Sequence, residues 1–146
     1  MPAMKQILPA FAAMMFFVLT AASPARAGEA TVLRGDLLIL DGQRHRLAGI
    51  EAPAPGQACI LRGRTIDCGR IAASQLMDLT AGADVQCRRR SDGMSVCTSD
   101  GYDLSEGMVH TGWARALNDK RRTLELAARA ARRGMWRTVP VTDKTK

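Results

Sequence analysis

Two sets of residues in this 146-residue sequence have the types and spacing to do chemistry. The first is four cysteines, Cys59, Cys68, Cys87 and Cys97. An even number suits disulfides in an oxidising compartment, whereas zinc sites need tighter spacing or nearby histidines, and His45 and His110 stand alone in the sequence. Ser91-Asp92-Gly93 reads as a three-residue hairpin turn. That register sets 90 opposite 94 and 89 opposite 95, so Cys87 faces Cys97, and Cys59 is left to pair with Cys68. The second set is Asp36 and Arg46. A two-residue Asp41-Gly42 turn aligns 40 with 43, 38 with 45 and 36 with 47, which brings both to the open end of one hairpin. There they are either an anion or metal site or an exposed acid and base at a strand end. Strand alternation points their side chains to opposite faces, so a direct contact requires a bulge or strong twist.

These residues have to be positioned by an ordinary globular body preceded by a leader. Lys5 precedes an apolar run from Ile7 to Ala22 that ends in Ala25-Arg26-Ala27, the form of a cleaved secretory signal peptide over residues 1–27. At about 16 residues the run is short of the roughly 20 that a spanning helix needs, so no stable membrane span is expected after cleavage. The expected location is the periplasm or the extracellular space. Cleavage removes Lys5 and Arg26 and lowers the formal charge from +7 to +5. The remainder is unevenly distributed: residues 113–146 carry ten basic and three acidic residues, residues 28–112 nine and eleven. Beyond the leader the aromatics are Tyr102, Trp113 and Trp136, few for a protein that stacks single-stranded bases.

The mature chain reads as short strands from Thr31 to Arg34 and Leu37 to Leu40, a return strand from Gln43 to Ile50, and a Pro- and Gly-containing loop over 51–67. A helix over 69–81 has Ala72, Leu76 and Leu79 on one face and Gly82 as its stop. The cysteine hairpin follows. Asp103-Leu-Ser-Glu106 has the form of a capping box that opens a short helix, and Trp113 to Leu117 suits a brief strand. The last helix, over 119–133, starts at the cap Asn118 and ends at Gly134. It sets Leu124, Ala128, Ala131 and Met135 on one side, with Arg122, Arg129 and Arg133 on the other as a solvated face or anion-binding stripe. His45 reads as a surface residue, Trp113 and Trp136 as core anchors, and 137–146 as a flexible tail. Residues 28–136 thus form one small α+β, mainly β, domain, a bent sheet or barrel with about three helices, expected as a monomer.

Several segments, in order, resemble the staphylococcal nuclease-like, or thermonuclease, family: Gly35-Asp36, Arg46 to Pro53, Gln57-Ala58-Cys59, Cys68 to Ala72, Met108 to Ala114, and Ala128-Arg129 to Trp136. The resemblance implies an OB-like five-stranded barrel and, in active members, calcium-dependent hydrolysis of DNA and RNA. In those members two aspartates hold the metal, a glutamate activates water and two arginines clamp the phosphate.

The match thins at the site. A family Asp-Gly-Asp-Thr reads Arg34-Gly35-Asp36-Leu37, so Asp36 keeps a metal position. Arg46 keeps the first arginine. Asp-Thr-Pro-Glu reads Glu51-Ala52-Pro53-Ala54, so Glu51 is the second metal candidate, and the position of the catalytic glutamate is Ala54. The second arginine's segment is missing between Cys87 and Cys97, where Arg88, Arg89 and Arg90 offer charge only. Loss of a general base costs about 10² to 10⁴ in rate, and loss of one transition-state donor about 10² to 10³. The expectation is an exported thermonuclease-like protein with lost or strongly reduced activity, weak or lost calcium binding and a residual anion-binding role. Its expected partner is nucleic acid, an acidic envelope polysaccharide or an unidentified protein. The alternative is a weak or repurposed calcium-dependent endonuclease.

Overall fold

The structure, a computed structural model, describes residues 28–140; the expected leader and the last six residues lie outside the described residues. Strand β1 (Thr31–Arg34) pairs antiparallel with β2 (Leu37–Leu40), and β2 with β3 (Gln43–Arg46). The pairs Leu40↔Gln43 and Leu38↔His45 hold the register that the Asp41-Gly42 turn dictates. The return strand is shorter than its sequence suggests. After Arg46 the chain leaves β2, and Leu47 forms a parallel bridge with Ser95.

Residues 51–67, expected as a loop, contain a hairpin of β5 (Ala58–Leu61) and β6 (Arg64–Asp67) behind the two-residue β4 (Ile50–Glu51). Its turn is Arg62-Gly63 with both φ values positive, 49° and 76°. Arginine is a poor residue for that conformation, which hid the turn. Cys59 and Cys68 are bonded across the base of this hairpin.

Helix α1 (Cys68–Thr80) starts at Asp67, whose carboxylate accepts the Arg70 N–H, and buries Ala72, Ala73 and Leu76. The hairpin of β7 (Val85–Arg89) and β8 (Ser95–Ser99) has the expected register, Arg89↔Ser95 and Cys87↔Cys97, and the second disulfide joins that last pair. Strand β9 (Tyr102–Asp103) runs into α2 (Leu104–His110), where Asp103 caps the Glu106 N–H. Strand β10 (Arg115–Ala116) pairs with β4, and α3 (Asp119–Ala130) begins at the Asn118 cap. Helix α3 ends three residues earlier than the pattern suggests, and Ala131 is exposed. A 3₁₀ turn, Gly134–Arg137, leads to β11 (Val139–Pro140), which pairs with β5. The start of the expected tail is therefore part of a sheet.

The described residues make an α+β fold, mostly strands, with three α-helices. The strands lie in four small sheets, β1-β2-β3, β10-β4, β11-β5-β6 and β7-β8-β9, which do not close into a barrel. Leu38, Leu47, Ile50, Leu76, Leu104, Met108 and Val109 are fully buried between sheets and helices. Trp113 joins this core and Trp136 is only half-buried. No described helix is long and apolar enough to cross a membrane.

Candidate functional site

Asp36 sits in the two-residue turn between β1 and β2 with 1 % of its surface exposed. A turn residue escapes strand alternation, and β1 carries a bulge between Val32 and Arg34. Together they let side chains from β1 and β3 converge on Asp36. Arg34 Nε lies 3.1 Å from Oδ1, and Arg46 Nη2 lies 3.8 Å from Oδ2. The Ala52 N–H donates to Oδ2 at 3.4 Å, and the Asp36 carbonyl accepts the Leu47 N–H at 2.9 Å. The Arg34 contact is a charge contact without hydrogen-bond alignment, since both atoms are buried and neither is satisfied. Gly35 fixes the turn by close approach: a Cβ there would meet the Cβ atoms of Ala52 and Ala72 at 2.8 and 2.9 Å.

Glu51 is exposed on β4 and lies in register opposite Arg115 of β10. Ala54 stands half-buried in the next loop, where its N–H donates to Gln57 Oε1 at 3.2 Å and its carbonyl accepts the Gln57 N–H at 2.9 Å. Arg34, Glu51, Ala54 and Arg115 line one open cavity of about 300 Å³. Across Pro53, Gln57, Arg115 and Met135 it shares its wall with a second cavity of about 350 Å³, lined also by Arg129 and Trp136. The Trp136 Nε1–H is buried and has no acceptor among the described residues.

A calcium ion would need the carboxylate oxygens that the arginines face. Asp36 presents one oxygen to each guanidinium. Neither Asp36 nor Glu51 belongs to a group of three ligand side chains: among the described residues the one group of His, Cys, Asp or Glu side chains close enough to share an ion is His45, Cys87 and Cys97. The residues present do not fit that metal. With Arg34, Arg46 and Arg115 against Asp36 and Glu51, the formal charge of the site is positive. It is suited to attract an anion.

The basic stripe is differently placed. Arg122 is exposed and 3.8 Å from Asp119. Arg129 binds Glu125, with its Nε 2.8 Å from Oε1, and lies 3.8 Å over the Trp136 ring. Arg133 donates to the His110 carbonyl at 3.2 Å. Arg88, Arg89 and Arg90 are exposed on the β7–β8 hairpin, where Arg89 donates to the Arg44 carbonyl at 2.7 Å.

Sequence reasoning missed three buried charged or ionisable residues. Arg121 is buried and pairs with Asp103 at 2.9 Å, tying α3 to the cap of α2. Glu125 is buried and accepts the Ala116 N–H at 2.6 Å. Burial alone would raise its carboxyl pKa, but that N–H and Arg129 together hold it below the usual range. His45, read as a surface residue, is buried with Nδ1 3.0 Å from Ser95 Oγ, because the bridge at Leu47 folds β3 onto β8. Burial and the nearby Arg89 lower its pKa, against a smaller upward pull from Asp41. The i,i+4 spacing of Glu125 and Arg129 was visible in the sequence as a salt-bridge signal. Nothing local marks Arg121 or His45.

No protein-family model matches the chain. In an alignment of 125 positions that covers 77 % of this chain, it is 30 % identical to the succinoglycan biosynthesis protein ExoI of Rhizobium meliloti (strain 1021). The chain spans 65 % of that relative's length.

Proposed function

We infer that this chain is an exported, staphylococcal nuclease-like domain that binds an acidic polysaccharide and has lost phosphodiester hydrolysis. The observation that carries this reading is Arg34, which holds a cation against Asp36 where a metal-binding site would leave the carboxylate free. Ala54 offers no base at the position where the resemblance places the catalytic glutamate. The two adjoining cavities are lined by Arg34, Arg115 and Arg129, with Glu51 as a counter-charge, which suits carboxylate or phosphate groups on a polymer. The similarity to a protein named for succinoglycan biosynthesis favours polysaccharide over nucleic acid, and so does the scarcity of stacking aromatics. Two disulfides suit export. The strand order with its seams at Leu47–Ser95 and β4–β10 suits an interrupted OB-like barrel.

The test is retention of the oxidised protein on an acidic and a neutral polysaccharide matrix over a salt gradient, beside single-stranded DNA with and without calcium. Salt-sensitive retention on the acidic polysaccharide alone supports the reading. The second reading, a weak calcium-dependent endonuclease, draws on the retained Asp36–Arg46 pair. It gains if DNA is cut with calcium and an Asp36→Ala, Arg46→Ala double variant does not cut.

A further inference from the structure

The disulfide of the β7–β8 hairpin has a histidine beside it that the anion site does not use. Strand β3 crosses onto β8, so a ring nitrogen of His45 and the Sγ atoms of Cys87 and Cys97 all lie within 4.8 Å of one another. His45 is 7 % exposed, Cys97 is fully buried and Cys87 is half-buried. While the two sulfurs are bonded to each other they offer no thiolate, and the trio is not a metal site. Separated, the same residues offer two soft anionic thiolates and one imidazole within reach of one ion.

We propose that reduction of the Cys87–Cys97 disulfide creates a binding site for one soft d¹⁰ cation, zinc or cuprous copper, held by the two thiolates and His45. The reductant is a dithiol donor. It supplies two electrons and two protons, the Cys87–Cys97 bond breaks, two thiols form and the donor becomes a disulfide. The incoming cation then displaces the two thiol protons to solvent. Cys87 is the accessible sulfur for attack by the donor's thiolate. Ser95, 3.0 Å from His45 Nδ1, orients the ring by a hydrogen bond, the support that ligating histidines require. Three protein ligands leave one position open, as in zinc sites that exchange a ligand. Among the described residues the Cys59–Cys68 bridge has no such group around it, so the site is confined to one of the two disulfides.

Full-length protein, oxidised or reduced with a phosphine that is then removed, is titrated with cadmium as a soft d¹⁰ probe. Thiolate-to-metal absorption and native mass spectrometry report binding, and thiol alkylation maps the ligands. The expected result is one cadmium bound by the reduced protein and none by the oxidised protein. Cys87 and Cys97 should be shielded from alkylation while Cys59 and Cys68 react, and His45→Gln should weaken binding at least about tenfold. Equal binding by His45→Gln, shielding of Cys59 and Cys68, or no binding after reduction would each overturn the proposal. A reduced chain that unfolds counts against it as well, because then all four thiols react alike.

Discussion

Arg34 Nε stands 3.1 Å from Asp36 Oδ1, so the one deeply buried carboxylate of the candidate site already has a cation beside it. That contact predicts how the protein responds to calcium. The wild-type chain should show no calcium-dependent rise in melting temperature, because ligands stabilise only what they bind. In Arg34→Asp two carboxylates would share the turn, and their repulsion should cost about 1–3 kcal/mol without metal, the scale of an uncompensated buried polar group. Calcium should restore part of that loss. Thermal unfolding of both proteins with and without calcium checks this, and a calcium-dependent rise in the wild type would count against the site as described.

How much of this is legible in the sequence depends on whether the signal is local. The β7–β8 register followed from one turn and one Gly, and Cys87↔Cys97 came with it. The caps Asp103 and Asn118 were equally local. The approach of Asp36 to Arg34 was not visible, because it depends on a bulge and on Gly35 packing between Ala52 and Ala72, which are distant in sequence. The burial of His45 needed the Leu47–Ser95 bridge, a contact between segments about fifty residues apart. The β5–β6 hairpin was hidden by an Arg where turn chemistry calls for Asn, Asp or Gly.

His45 makes stability depend on pH. Its folded pKa lies below the ordinary 6.5, so the unfolded chain binds the proton more readily. Stability should therefore fall as pH drops below about 6.5 and continue falling until the folded pKa is passed. Urea midpoints between pH 7.5 and 5 should show this slope in the wild type and lose it in His45→Gln. Glu125 adds a second, more acidic window: its folded pKa is below 4.5, so its contribution is present above that value and disappears as pH falls through the folded pKa.

The Arg121–Asp103 pair is a structural joint between α2 and α3. Arg121 is 5 % exposed and its guanidinium is 2.9 Å from Asp103. Arg121→Ala should destabilise by about 2–4 kcal/mol, near the low end for breaking a buried pair because Asp103 retains some water and its capping hydrogen bond. Arg122→Ala, one residue along on the exposed face, should change stability by less than about 0.5 kcal/mol. Urea unfolding of the two variants tests the contrast, and equal effects would remove the special role given to Arg121.

Arg115 is the charge that both cavities share, and it is exposed, so its loss should register in binding rather than in folding. A hydrogen bond to a charged group contributes about 1.5–3 kcal/mol, so Arg115→Ala should weaken retention on acidic polysaccharide roughly tenfold or more. Its melting temperature should stay near that of the wild type. Removing a phosphate- or carboxylate-contacting cation should also flatten the salt dependence of binding, as it does for polyanions in general. Arg62, exposed at the β5–β6 turn, is the control: Arg62→Ala removes the same formal charge outside both cavities. Affinity measured against salt for the three proteins separates a built site from diffuse attraction. If Arg62→Ala and Arg115→Ala lose affinity equally, the cavities do not form the binding surface and only net charge holds the polymer.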